Sequence, residues 1–223
     1  MLKFGTDGWR GIIADVFTIA NVRKLSCAIA KYFTNKSAGS SKKSVLVVGY
    51  DNRFLSPEAA EIAAMVLVAK GFKIILSKQS IPTPALSVAI KNKKALGGIM
   101  VTASHNPYKY NGIKVRNEQG VSIGTDETRL IEQLAESSDM LEAGITDKNV
   151  LYEDLNAQYL GEIKKNLGQK TLKSSRLKIA VDAMHGSGAG LLESLLKGSG
   201  VCISGIRSNR DTLFGGVNPE PIE

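Results

Sequence analysis

The sequence predicts an α/β fold, with a sheet covered by helices on both faces. Three observations support this. Apolar runs of strand length recur, the clearest being Ser44-Val-Leu-Val-Val-Gly49, a continuous run typical of a strand buried on both sides. Helix-start and helix-stop residues follow those runs. The alternation of strand and helix keeps one pace through the first 136 residues.

The elements follow in order. Thr18 can cap a helix through Leu25 to Phe33, with Ile19, Val22, Ile29 and Phe33 at helical spacing. Asn35–Lys43 is polar and reads as a loop before the Ser44–Gly49 strand. Ser56 at the cap, Pro57 at the first position and Glu58 in the first turn open the next helix. Gly71 closes it, and Phe72–Leu76 is the next strand. Ile81-Pro-Thr-Pro84 turns into a short helix, after which Leu96–Val101 forms a strand. Thr125-Asp-Glu127 starts a helix that is apolar at Leu130, Ile131 and Leu134. The acidic stretch Ser137–Asp154 reads as a linker region.

A second unit follows: a helix near Leu155–Leu167, a strand Leu177–Asp182, a helix Leu191–Lys197 and a strand Val201–Ile206. The domains are therefore expected at 1–150 and 151–223. With about two strands the second would be marginal alone, so the chain is expected to stop inside its second domain. No internal repeat of fixed period occurs.

Composition narrows the function. Of the 223 residues, 43% are hydrophobic and 22% charged, as in ordinary globular proteins. No apolar run reaches the roughly 20 residues of a membrane span, and MLKFGTDGWRG is not a signal peptide. Cys27 and Cys202 form neither a disulfide framework nor a zinc site. A cytoplasmic location is the expectation. The net charge of +8 is uneven: positive over residues 1–100, negative over 101–160 and weakly positive beyond. The lysines carry no interleaved aromatic stacking platforms, which argues against nucleic acid. The charge reads as a solvated surface or as a field that attracts an anionic small substrate.

The stretch Thr102-Ala-Ser104-His105-Asn106-Pro107, then Asn111-Gly-Ile-Lys114, leaves a buried-looking strand where α/β proteins place ligands. Hydrolase chemistry does not fit. The nucleophile elbow needs glycine on both sides of the serine at a spacing of two, where this chain has Thr102 and Asn106. Adjacent Ser104 and His105 point apart in extended chain. Phosphoryl transfer fits better: Ser104 can carry a phosphate as a covalent intermediate. His105, Asn106, Lys114 and a remote arginine can supply positive charge and donors, and Lys114 can serve as general acid/base. The alternative is a polar turn built on Asn106-Pro107 and Asn111-Gly112.

Three further stretches stand out. Phe4-Gly-Thr-Asp-Gly-Trp-Arg10-Gly11 suggests a backbone shaped for close approach and an arginine suited to phosphate, or an N-terminal loop with a surface arginine. In Gly49-Tyr-Asp51-Asn-Arg53, Asp51 and Arg53 can pair and hold neighbouring loops. Asp182-Ala-Met-His185-Gly-Ser-Gly-Ala-Gly190 lacks the residues of a P-loop or dinucleotide fingerprint and reads as a tight strand-to-helix turn.

Four segments together resemble the α-D-phosphohexomutases, in the phosphoglucomutase/phosphomannomutase branch: FGTDGWRG at 4–11, GYDNRFLSP at 49–57, TASHNPYKYNGIK at 102–114, and VDAMHGSG at 181–188 with NPEP at 218–221. The resemblance implies three-layer α/β/α domains with a mixed, mostly parallel sheet, the second domain only begun here. It implies interconversion of hexose 1-phosphate and hexose 6-phosphate through a phosphoserine and a bisphosphorylated sugar. By position, Ser104 would be the phosphoserine and Lys114 the general acid/base. Arg10 and His105 would line the phosphoryl site, with Asn106 and Thr102 shaping its loop. The family's Mg²⁺ is held by the serine phosphate and three aspartates of an Asp-Gly-Asp-x-Asp-Arg loop, and no Asp-x-Asp-x-Asp occurs in this sequence. These 223 residues alone are therefore expected not to run the full cycle. The rival readings are a phosphoglucosamine mutase, against which Thr102 tilts, and a non-catalytic anion-binding or interaction module.

Overall fold

The computed structural model describes residues 2–5, 8–37, 44–137, 149–167, 173 and 175–220. Seven strands form one sheet: β1 (Phe4–Gly5), β2 (Gly8–Ile12), β3 (Val45–Tyr50), β4 (Lys73–Ser77), β5 (Gly97–Val101), β6 (Tyr110–Asn117) and β7 (Val150–Glu153). Their spatial order is β1-β2-β6-β5-β3-β4-β7. β5, β3, β4 and β7 pair in parallel, while β6 runs antiparallel to both β5 and β2, and β1 antiparallel to β2. Five of the seven strands thus point one way, and the sheet is mixed but mostly parallel.

Helices cover both faces. On one lie α1 (Ile19–Ser37), α2 (Ser56–Ala69) and α4 (Thr125–Glu136), over a core that includes Trp9, Phe33, Leu46, Leu67, Ile99 and Ile113. On the other, α3 (Thr83–Lys93) and α5 (Leu155–Asn166) pack on Val47, Ile75 and Met100, with Leu155 fully buried. The central strands are apolar on both faces because both carry helices, as the Ser44–Gly49 run predicts.

Several expectations change. α1 continues to Ser37, so Asn35–Ser37 is helical, while residues 38–43 lie outside the described residues. The Thr18 cap is present, its Oγ1 accepting from the Asn21 N–H. Ser56 does not cap α2. Leu55 holds that place in left-handed conformation, and the Ser56 hydroxyl donates instead to Asp51 Oδ1. Asn111-Gly112 is not a turn but part of β6. Asn111 is fully buried, and its amide donates to Ser56 Oγ and the Phe54 carbonyl. Gly112 is needed for close approach, since a Cβ there would stand 2.2 Å from the Trp9 carbonyl oxygen.

The segment expected as a linker contains β7, which extends the first sheet beside β4. Residues 138–148 lie outside the described residues. α5, expected to open the second unit, lies against α3 and also touches the short helix Leu191–Leu196. After α5 come the parallel pair β8 (Lys178–Asp182) and β9 (Cys202–Ile206), that short helix, and a 3-10 turn at Phe214–Gly216. Two strands enclose little: among the described residues after α5, Leu196 and Phe214 are the buried hydrophobic side chains.

Candidate functional site

The Ser104 loop leaves the end of β5 and returns as β6. Ser104 is exposed and sits at φ 59°, a left-handed conformation uncommon for a non-glycine residue. Local bonds hold it there. Its N–H donates to Thr102 Oγ1 at 2.9 Å, and the Asn106 N–H donates to the Ala103 carbonyl at 3.1 Å. Thr102 itself is buried and tied to β6 through its N–H and the Gly112 carbonyl.

Beneath the loop lies Arg53, whose side chain has no exposed surface. Its Nη2 donates to the carbonyls of Ser104 (2.7 Å) and Asn106 (2.6 Å), and its Nη1 to those of Pro107 (3.0 Å) and Tyr110 (2.9 Å). Nε lies 3.3 Å from Asp51 Oδ2 without hydrogen-bond alignment, so that contact is one of charge. Asp51 Oδ1 accepts from Ser56 Oγ and from the Arg53 N–H. Burial pulls the Arg53 guanidinium below the ordinary arginine value, Asp51 opposes that shift, and the Arg10 charge adds to it. The expected Asp51–Arg53 pairing is present, and its reach is wider than the local motif suggests.

Arg10, on β2, donates from Nη1 to Asn106 Oδ1 at 2.6 Å and so joins the N-terminal motif to the serine loop. Lys114, on β6, is buried, and it pairs in register with Met100 while Arg10 pairs with Gly112. Cross-strand partners share a sheet face, so Arg10, Lys114 and Met100 stand on the same side. Gly8 packs over Lys114, and a Cβ on Gly8 would come within 3.0 Å of Lys114 Cγ. His105 is exposed, with Nε2 3.9 Å from Glu220 Oε1.

A cavity of about 410 Å³ opens between the two units. Thr102, Ser104, His105, Met100, Asp51 and Asn52 wall one side. Asp182, Met184, Ser187, Phe214 and Pro219 wall the other. Arg10, Asn106 and Lys114 stand outside these walls, Arg10 being joined to the loop through Asn106. Arg207 hydrogen-bonds Asp182 through Nε (2.8 Å to Oδ1) and Nη2, which holds that carboxyl below its usual range.

The Asp182–Gly190 stretch is the expected turn after β8. Met184 and His185 both have positive φ, and His185 Nδ1 contacts the Asn209 carbonyl at 3.0 Å. This turn docks the second unit: Asn52 Nδ2 donates to the His185 carbonyl at 2.9 Å. Arg210 donates to the carbonyls of Asn52 and Arg53. The Phe214 ring centroid lies 5.2 Å from the Arg53 guanidinium carbon. Sequence reasoning missed Asn52, Arg210 and Phe214. Their partners are main-chain atoms or a distant cation, which no local pattern announces.

Among the described residues no group of three or more His, Cys, Asp or Glu side chains is placed to hold a metal ion. These residues therefore do not by themselves fit the Mg²⁺ that the motif resemblance implies.

Residues 1–142 match the family model for phosphoglucomutase/phosphomannomutase alpha/beta/alpha domain I, and residues 157–223 match that for domain II. A Staphylococcus haemolyticus phosphoglucomutase is 32% identical over 240 residues, spanning 100% of this chain and 43% of its own length. A Sulfurisphaera tokodaii phosphoglucosamine/phosphogalactosamine mutase is 33% identical over 221 residues, spanning 98% of this chain and 47% of its own. A solved structure from Thermus thermophilus, designated a phosphomannomutase, superposes with a TM-score of 0.87 at 37% identity, over 99% of this chain and 49% of that one. The chain spans about half the length of the relatives it matches. With both domain models and the serine-loop motif in agreement, the chain belongs to the phosphoglucomutase/phosphomannomutase family.

Proposed function

We propose that this chain supplies the phosphoserine side of a phosphohexomutase active site, acting on hexose 1- and 6-phosphates. The observation that carries this reading is Ser104 itself. It is an exposed hydroxyl on a left-handed turn, at the wall of the cavity between the units, with Arg10 held beside its loop. In the proposed step the Ser104 oxygen attacks a phosphorus of a sugar bisphosphate. The bond from that phosphorus to the sugar oxygen breaks, and the serine proton ends on the departing sugar hydroxyl. Lys114 is proposed as the group that relays this proton. Arg10 and His105 are proposed to balance the phosphoryl charge, while Thr102 and Asn106 fix the loop. The reverse step at the other sugar position completes the exchange. Mg²⁺ belongs to this proposal only through the Ser104 phosphate, since the aspartate motif that would complete its site does not occur in this sequence.

The test is the intact mass of the complete protein after incubation with glucose 1,6-bisphosphate. One phosphoryl group should appear on the wild type and none on Ser104→Ala. Arg10→Ala should slow uptake by roughly a hundredfold, the usual scale for losing a preorganised charge at a reacting group. Residues 1–223 alone should not convert glucose 1-phosphate to glucose 6-phosphate. Uptake surviving in Ser104→Ala overturns the reading. Because relatives with glucosamine-mutase names match as well as glucomutases do, a panel of glucose, mannose and glucosamine phosphates decides the sugar. Phosphosugar binding without phosphoryl uptake would favour the anion-binding module.

A further inference from the structure

We propose that Arg53 is the positioning residue of the Ser104 loop, and that Phe214 and Arg210 of the second unit tie its grip to the docking of the two units. Its consequence for phosphoryl transfer rests on the phosphoserine reading above, but its structural core does not.

The first part follows from where the guanidinium points. Both terminal nitrogens are directed at four carbonyls, and all four come from one stretch of seven residues, Ser104–Tyr110. That stretch runs from the end of β5 into the first residue of β6 and has few backbone bonds: Asn106 N–H to the Ala103 carbonyl, Tyr110 N–H to the Pro107 carbonyl, and the Ile13 N–H to the Lys109 carbonyl. Carbonyls turned toward the protein interior need partners, and the planar fork of one arginine supplies them all. Lysine, a point charge on a flexible stem, cannot span the same four oxygens. Asp51 balances the buried charge and fixes the side chain from the other end, while Ser56 and Asn111 extend that network to α2 and β6. Arg53 thus holds the loop's carbonyls from below, while Thr102 Oγ1 and the Ala103–Asn106 bond fix the Ser104 turn itself.

The second part follows from what covers Arg53. The Phe214 ring lies over the guanidinium, and Arg210 binds the backbone carbonyls of Asn52 and Arg53 themselves. Asn52 reaches back to the His185 carbonyl. These three hydrogen bonds between the units thus all fall within one residue of Arg53. Separation of the units would remove the ring, admit water to the guanidinium and loosen the loop carbonyls it holds. The second unit then does more than wall the cavity: it sets how firmly the serine is presented.

Hydrogen exchange of peptides covering residues 103–110 in the complete protein, combined with phosphoryl uptake from glucose 1,6-bisphosphate, tests this. Phe214→Ala should speed exchange in the loop about tenfold, as expected when a desolvated cation–π contact opens a local segment. Phe214→Tyr, which keeps the ring, should restore the wild-type rate. Arg210→Ala, whose side chain stands outside the cavity walls, should lower uptake at saturating bisphosphate by a similar factor with the half-saturating concentration unchanged. Arg53→Lys should have a larger effect in the same direction. Phe214→Ala leaves the buried network itself intact, so it decides the matter even where Arg53→Lys does not fold. Loop exchange that stays at the wild-type rate in Phe214→Ala and Arg210→Ala, while exchange at residues 184–187 rises, would overturn the proposal. If the loop responds as expected but the wild type accepts no phosphoryl group, the phosphoserine reading fails and the positioning role stands.

Discussion

At Ser104 the backbone adopts a conformation that costs an L-residue on the order of 1 kcal/mol or more, and Thr102, Arg53 and the Ala103–Asn106 turn hold it there. Ser104→Gly and Ser104→Ala both remove the hydroxyl, but only glycine relieves the strain. Ser104→Gly should therefore be more stable than Ser104→Ala by about 1 kcal/mol, read as a higher urea midpoint with unchanged slope. Equal midpoints would mean that the left-handed turn is not held in solution. The candidate chemical residues were legible in the sequence because serine, histidine, asparagine and lysine lie within eleven positions of one another. Arg10 was legible as a phosphate-suited side chain, but its contact with Asn106 spans 96 positions and rests on the β2–β6 pairing. Arg53 was legible only as a partner for Asp51, because carbonyl acceptors carry no residue identity.

Among the elements, those carrying an apolar run were legible, β5 with its Gly97-Gly98 start included, while β2 and β6, whose glycines stand without such a run, were not. β2 contains Gly8 and Gly11, and β6 contains Asn111-Gly112, residue types that signal turns when neighbours are unknown. Their extended state is decided by packing across the sheet, where the Trp9 carbonyl leaves no room for a Cβ at position 112. β7 is short, with two exposed residues, so its strand character depends on β4 rather than on its own pattern. The helical face has its own electrostatic joint. Tyr32 of α1 donates to Glu127 of α4, which also accepts from Lys36. Burial and the Glu127 hydrogen bond raise the Tyr32 pKa to about 12. Burial works to raise Glu127, but the bonds from Tyr32, the Gly124 N–H and Lys36 outweigh it and leave its carboxyl below the ordinary value. A depressed carboxylate stabilises the fold above its unfolded pKa and loses that contribution as pH falls through the folded one. A raised phenol contributes below about pH 10, its unfolded value, and loses it as pH rises toward the folded one. Thermal scans of wild type and Tyr32→Phe should thus differ by a constant amount near neutrality, and the difference should shrink as pH falls below about 4 and as it rises from about 10 toward about 12. A difference independent of pH would contradict this joint.

For the whole molecule, the first sheet supplies the serine loop and the second unit supplies the facing wall. The expected second unit was legible from its two strands and glycine-rich turn, but its manner of docking was not. Asn52, Arg210 and Phe214 come together only because the β8 turn and the Phe214 turn close on the connection between β3 and α2. That junction gives the cavity two walls of different origin. No helix among the described residues is long and apolar enough to cross a membrane. The proposed role of Ser104, carrying a phosphoryl group between sugar positions, is decided by a labelled phosphoryl chase: the complete protein is charged from labelled glucose 1,6-bisphosphate, freed of sugar, and mixed with unlabelled glucose 1-phosphate. Label should sit on the Ser104 peptide before the chase and in glucose 1,6-bisphosphate after it. Label that never reaches Ser104, or leaves it only as inorganic phosphate, rules that role out.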